Sequence, residues 1–107
     1  MSTHRDILAI EADIVKALKD VYDPEIPVNI FDLGLIYEVD TEENGKTTIK
    51  MTLTAPNCPM ADQILQDVND RVGEVDGITE VVINLTFDPP WGKEMMSEEA
   101  MLELGFL

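Results

Sequence analysis

The chain has 107 residues, 45% of them hydrophobic and 27% charged, which leaves room for one domain with one modest core and argues against wholesale disorder. Seven Lys+Arg against 22 Asp+Glu give a net charge of −15, so nucleic acid and membrane are not expected partners, while basic protein surfaces and metal cations fit. No apolar run approaches the ~20 residues of a membrane helix, no charged-then-apolar leader opens the chain, and a single cysteine excludes an internal disulfide; the expected compartment is a reducing cytoplasm.

In chain order, Ile7, Ile10, Ile14, Leu18 and Val21 recur at spacings of three and four and predict an amphipathic helix. Thr3 with Asp6 resembles a capping box for its start, and Asp23-Pro24 forbids its continuation. Residues 24–32 read as an ordered loop, because Ile26, Val28, Ile30 and Phe31 seek burial. Two strands follow, over 33–40 and 46–54. In the second, Thr47, Ile49, Met51 and Leu53 share one face, with Thr48, Lys50, Thr52 and Thr54 on the other. Between them Asn44-Gly45, a pair that tolerates positive φ, predicts a tight antiparallel hairpin.

After a short loop over 55–58, a second helix is expected from Pro59, with Ala61, Ile64, Leu65, Val68 and Val72 buried and Gln63, Asp67, Asp70 and Arg71 wet. Gly73 and Gly77 bracket its exit. A third strand over 79–87 points Val81, Ile83, Leu85 and Phe87 one way and stops at Asp88-Pro-Pro-Trp91-Gly92. A last short helix over 97–104 takes Ser97 as cap and Gly105 as stop, its acidic residues Glu98, Glu99 and Glu103 solvated with Glu94 before them. The fold class is α+β: a single α-β-β-α-β domain over 1–107, plus the short C-terminal helix. The second and third strands are joined by a crossover long enough to make them parallel and, by rule, right-handed, giving a mixed three-stranded sheet packed on two helices.

The common catalytic templates are missing. His4 is the one histidine and lies at the N-terminal end; no glycine-rich phosphate loop and no zinc-ligand spacing is present, so an assembly or adaptor protein is expected rather than an enzyme. Cys58 stands out. It lies between Pro56 and Pro59 at the expected N-cap of the second helix, where free amides and the helix dipole favour a thiolate able to take soft metal or iron–sulfur species. Thr54, Asn57 and Pro59 support that loop. The competing reading is a small inert cysteine. Asp23, Glu25 and Asp32 are either hard oxygen ligands or turn residues that accept backbone N–H bonds. Met60 and Met101 read as core and staple residues. Trp91 either plugs the end of the sheet or anchors a partner together with Met95 and Met96.

Four strings stand in order: Asp23-Pro24-Glu25-Ile26-Pro27, the run from Asn29 to Tyr37, Thr54-Ala55-Pro56-Asn57-Cys58-Pro59, and Asp88-Pro89-Pro90-Trp91. Together they resemble the small iron–sulfur maturation domain family. That family includes the auxiliary factor of the bacterial Suf system, the PaaD-like proteins of phenylacetate degradation and the eukaryotic cytosolic targeting component. The resemblance runs from the first helix to Leu107 and implies the α-β-β-α-β fold and a role in assembling or delivering clusters to apo-proteins. It places the family's reactive cysteine on Cys58 and its acidic loop on Asp23 and Glu25. Asn57 departs from the smaller residue of many relatives, and the extra C-terminal cysteines of some PaaD-like members are absent, which favours the Suf-type assignment. The alternative is a cysteine-independent acidic adaptor, such as a PaaD-like component of an oxygenase complex.

Ligand arithmetic then bounds the cofactor. A cluster normally takes four protein ligands, usually cysteines, and this chain offers one, so no cluster is expected to be held stably. Any labile cluster or iron on Cys58 would be shared with a partner or a second protomer, the protein itself being a monomer or weak homodimer. The expected partners are apo iron–sulfur proteins and the cluster assembly machinery.

Overall fold

In the computed structural model, which describes residues 6–23, 26–54 and 60–106, the elements run α1 (Ile7–Leu18), β1 (Ile36–Thr41), β2 (Lys46–Met51), α2 (Ala61–Gly73), β3 (Glu80–Leu85) and α3 (Glu98–Glu103). A single 3-10 turn, Lys93–Met95, precedes α3. The order α-β-β-α-β-α is the expected one, and the sheet is mixed: β1 pairs antiparallel with β2, and β2 pairs parallel with β3, in the order β1-β2-β3.

The buried stripe of α1 is Ile10, Ile14 and Leu18, continued by Val21. Its cap is Asp6, whose carboxylate accepts the Leu8 N–H at 3.0 Å; Asp6 is therefore the cap itself rather than the partner of a Thr3 box, and Thr3 lies outside the described residues. Helix α2 buries Ile64, Val68 and Val72, with Gln63→Asp67 and Gln66→Asp70 hydrogen bonds along its wet side. Both stripes meet Ile49 and Met51 of β2 and the loop residues Ile30, Leu33 and Leu35 in one apolar cluster. Each such side chain contributes about 1.5–3 kcal/mol when fully buried.

Four details of the strands and their hairpin differ from the sequence reading. The first strand starts at Ile36 instead of residue 33, because Gly34 turns the chain at φ +86 and sends both Leu33 and Leu35 into the core. The hairpin uses positive φ at Gly45 alone: Gly45 N–H donates to Glu42 C=O, Glu42 N–H to Lys46 C=O, and the Asn44 side chain accepts from Lys46 N–H, so Asn44 acts through its amide rather than its backbone. Residue Thr52, read as a strand residue on the face opposite Ile49 and Met51, is buried just past the end of β2, and its N–H donates to Leu35 C=O at 2.8 Å. The third strand ends at Leu85, and both Leu85 and Phe87 are exposed, since β3 lies at the sheet edge and α2 covers only part of its inner face.

The C-terminal arm folds back onto the 29–35 loop. Ser97 N–H donates to Asp32 C=O, Ser97 Oγ accepts from Ala100 N–H, and Met96 and Ala100 enter the core. A Cβ on Gly34 would collide with the Met95 carbonyl, so the arm's approach requires glycine there.

Candidate functional site

In a strand–helix–strand crossover the carboxyl ends of the parallel strands and the start of the intervening helix converge, which is where such folds place their sites. Here that end is formed by residues 52–54, by the start of α2 and by residues 85–87. Leu53 is buried and Thr54 half-buried at a bend that follows it. Helix α2 begins later than expected: its N-cap is Met60, which is 37% exposed rather than part of the core and supplies no side-chain cap to the first turn. Cys58 therefore stands two positions upstream of the N-cap instead of on it. Cys58 itself, with Asn57, Pro59 and Glu25, lies outside the described residues.

Asp23 is buried at 4% exposure, and its carbonyl accepts the Ile26 N–H at 3.1 Å. For Asp32 the turn chemistry is the reverse of the expected one. Asn29 Oδ1 accepts the Asp32 N–H, and the Asn29 side-chain amide donates to the Asp32 carboxylate, each at 2.8 Å. Asn29 is thus the turn-forming residue that sequence reasoning missed; an Asn three residues before an Asp and five before a Gly was the available signal. Asp32 also lines a polar cleft of about 210 Å³ with Tyr22, Asn29, Glu99 and Glu103. Among the described residues no three His, Cys, Asp or Glu side chains converge well enough to hold a metal ion.

The three residues expected to dock partners are placed differently from one another. Trp91 is half-buried, and its indole N–H donates to Leu33 C=O at 2.6 Å, which pins the Pro-Pro-Trp loop over the end of the core. Met96 is only 6% exposed and belongs to the core, so it presents no docking surface. Met95 is half-buried with its sulfur 3.6 Å from the Tyr37 hydroxyl, which donates to Pro89 C=O at 2.7 Å. Tyr37 is a second residue the sequence reading passed over. An apolar cleft of about 330 Å³ beside the indole is walled by Ile26, Leu33, Trp91, Met96, Leu104 and Phe106, with Lys93 Nζ 4.7 Å from the Phe106 ring centre. Among the described residues no helix is long and apolar enough to cross a membrane.

With this geometry in place, the chain can be set beside known proteins. Residues 11–85 match the family described as "Iron-sulfur cluster assembly protein". The chain is 61% identical to the "Fe-S protein maturation auxiliary factor" of Porphyromonas gingivalis, over 97% of this chain and 99% of that one. It is 38% identical to the "Fe-S protein maturation auxiliary factor YitW" of Bacillus subtilis, over 91% and 95% of the two chains. The crystal structure of a domain of unknown function from Bacillus anthracis superposes with a TM-score of 0.87 at 40% identity, covering 94% of this chain and 95% of that one.

Proposed function

Because the chain belongs to the iron–sulfur cluster assembly protein family, we propose that it is an accessory factor in the maturation of iron–sulfur proteins that works through Cys58 as a transient thiol. The observation that carries the reading is the start of α2. Three residues beyond Cys58 a 13-residue helix begins at Ala61, after an exposed N-cap, Met60, that supplies no side-chain cap. The positive end of a helix favours a thiolate over a thiol, and Asp62 in the first turn opposes that effect.

In this reading iron or a cluster is cargo, not a resident cofactor. A lone thiolate supplies one of about four ligands, so the cargo is shared with a recipient protein, a second protomer or small thiols and is readily surrendered. Thr54, half-buried at the exit of β2, leads into the Cys58 segment, and Asp23 is buried. The net charge of −15 steers basic partners toward the protein, and their association weakens as salt rises.

The test is Cys58→Ser in cells that depend on the protein for the activity of an iron–sulfur enzyme. Loss of that activity with the variant folded and abundant is expected; unimpaired maturation would reject the thiol role. Alkylation of Cys58 by iodoacetamide across pH is a companion measurement, with a half-point below the ~8.5 of a free cysteine expected.

A further inference from the structure

The two edges of the sheet are protected unequally. On β1 a register irregularity falls between Ile36 and Glu38, carboxylates stand at Glu38 and Asp40, and Tyr37 ties the strand to the Pro89 carbonyl. These are the usual devices that stop an edge from pairing with another chain. The β3 edge has fewer of them. Its six residues, Glu80 to Leu85, carry a single charge and neither proline nor bulge, and they pair with β2 in unbroken register. Among the helices and strands only β2 and α2 pack on β3.

The free hydrogen-bonding groups of that edge can be named. Thr86 N–H donates inward to Met51 C=O at 2.9 Å. Amides alternate sides along a strand, so Val82 and Asn84 also face β2, and Val81, Ile83 and Leu85 present their N–H and C=O groups outward. The edge also leads to the candidate site. Helix α2 rises about 20 Å over its 13 residues, and Val81 to Phe87 spans about the same length. The far end of the helix is level with Val81, since a Cβ on Gly73 would sit 3.9 Å from the Val81 side chain. Its start is therefore level with Phe87. Three of the exposed large apolar residues, Met60 at 37%, Leu85 at 41% and Phe87 at 37%, belong to the end of the fold at which α2 starts, three residues after Cys58 in the chain.

We propose that the β3 edge takes up an extended, basic segment of a recipient protein as a fourth strand, delivering that protein to the Cys58 end of the fold. That the segment belongs to a recipient rests on the maturation reading. Its chemistry does not: the strand supplies main-chain pairing, Leu85 and Phe87 offer apolar contact at alternate positions, and Glu80 and Asp88 bracket the edge with carboxylates. A second copy is disfavoured as the occupant, because two chains of net charge −15 repel each other.

The experiment uses the full chain without metal and the synthetic peptide Lys-Val-Thr-Val-Thr-Val-Lys as probe. Amide hydrogen exchange followed by NMR should slow at least tenfold at Val81, Ile83 and Leu85 and stay unchanged at Val82 and Asn84. Leu85→Pro removes one outward amide without touching the β2 ladder and should weaken peptide binding at least tenfold. If that variant fails to fold, Leu85→Lys, which sets a cation against the basic peptide, should weaken it likewise. Equal binding of a Glu-flanked peptide, protection without the alternation, or self-association that protects the same three amides without peptide would overturn the proposal. Peptide binding should persist in Cys58→Ser. That arm separates the two readings: maturation surviving in Cys58→Ser rejects the thiol and leaves the edge standing.

Discussion

Helices α3 and α2 begin in opposite ways. The six-residue α3 starts on Ser97, whose hydroxyl accepts the Ala100 N–H at 3.1 Å and whose own N–H donates to Asp32 C=O at 2.8 Å. The 13-residue α2 starts on an exposed methionine with no side-chain cap. The difference follows from what holds each helix. An α-helix of two turns is far below the length that is stable alone, so α3 depends on its cap, on Ala100 in the core and on the close approach of Gly34 to Met95 just before it. Helix α2 is held along its whole length by Ile64, Val68 and Val72, which frees its first turn from a structural duty. The end whose N-cap residue supplies no side-chain cap is the one that follows the single cysteine in the chain.

The comparison is sharpened by variants that act on one side of it. Ile64→Ala removes a wholly buried side chain from the stripe that holds α2 and should cost about 3 kcal/mol, read as the largest fall in Tm in a thermal melt. Gly34→Ala forces an alanine into positive φ and against the Met95 carbonyl; a loss of about 2 kcal/mol is expected, with local opening concentrated in residues 93–104 by hydrogen exchange. Ser97→Ala deletes the cap of α3 and should cost about 1 kcal/mol, measured by urea denaturation with an unchanged m-value. Met60→Ser installs the missing cap on α2 and should stabilise by about 0.5 kcal/mol. In the proposed mechanism the same change competes for the first-turn amides and shifts the iodoacetamide half-point of Cys58 upward. A destabilising Met60→Ser would break the comparison, because it would show that the α2 start already has its amides satisfied.

The sequence was most legible where one residue pattern met one kind of burial. Ile10, Ile14 and Leu18, and Ile64, Val68 and Val72, announced their helices because a stripe at 3.6-residue spacing has few other uses. The alternation of Thr47, Ile49 and Met51 announced β2 for the same reason. It was least legible around Gly34 and at the ends of strands. Leu33 and Leu35 look like strand residues by composition, yet both are buried by a turn whose shape depends on Asn29, Asp32 and the distant Met95 backbone.

The candidate site divides in the same manner. That Cys58 is the sole thiol, that prolines flank it and that a helix follows are properties of the chain alone, because they require only identity and local propensity. Helix order, the antiparallel hairpin and the parallel crossover were likewise dictated locally, by turn residues and connection length. Where α2 starts, whether Trp91 is spent on Leu33, that Met96 fills the core and that β3 is left as the open edge were decided by contacts between segments far apart in sequence. Such contacts compete for each side chain and each main-chain edge, and no local pattern records which of them wins.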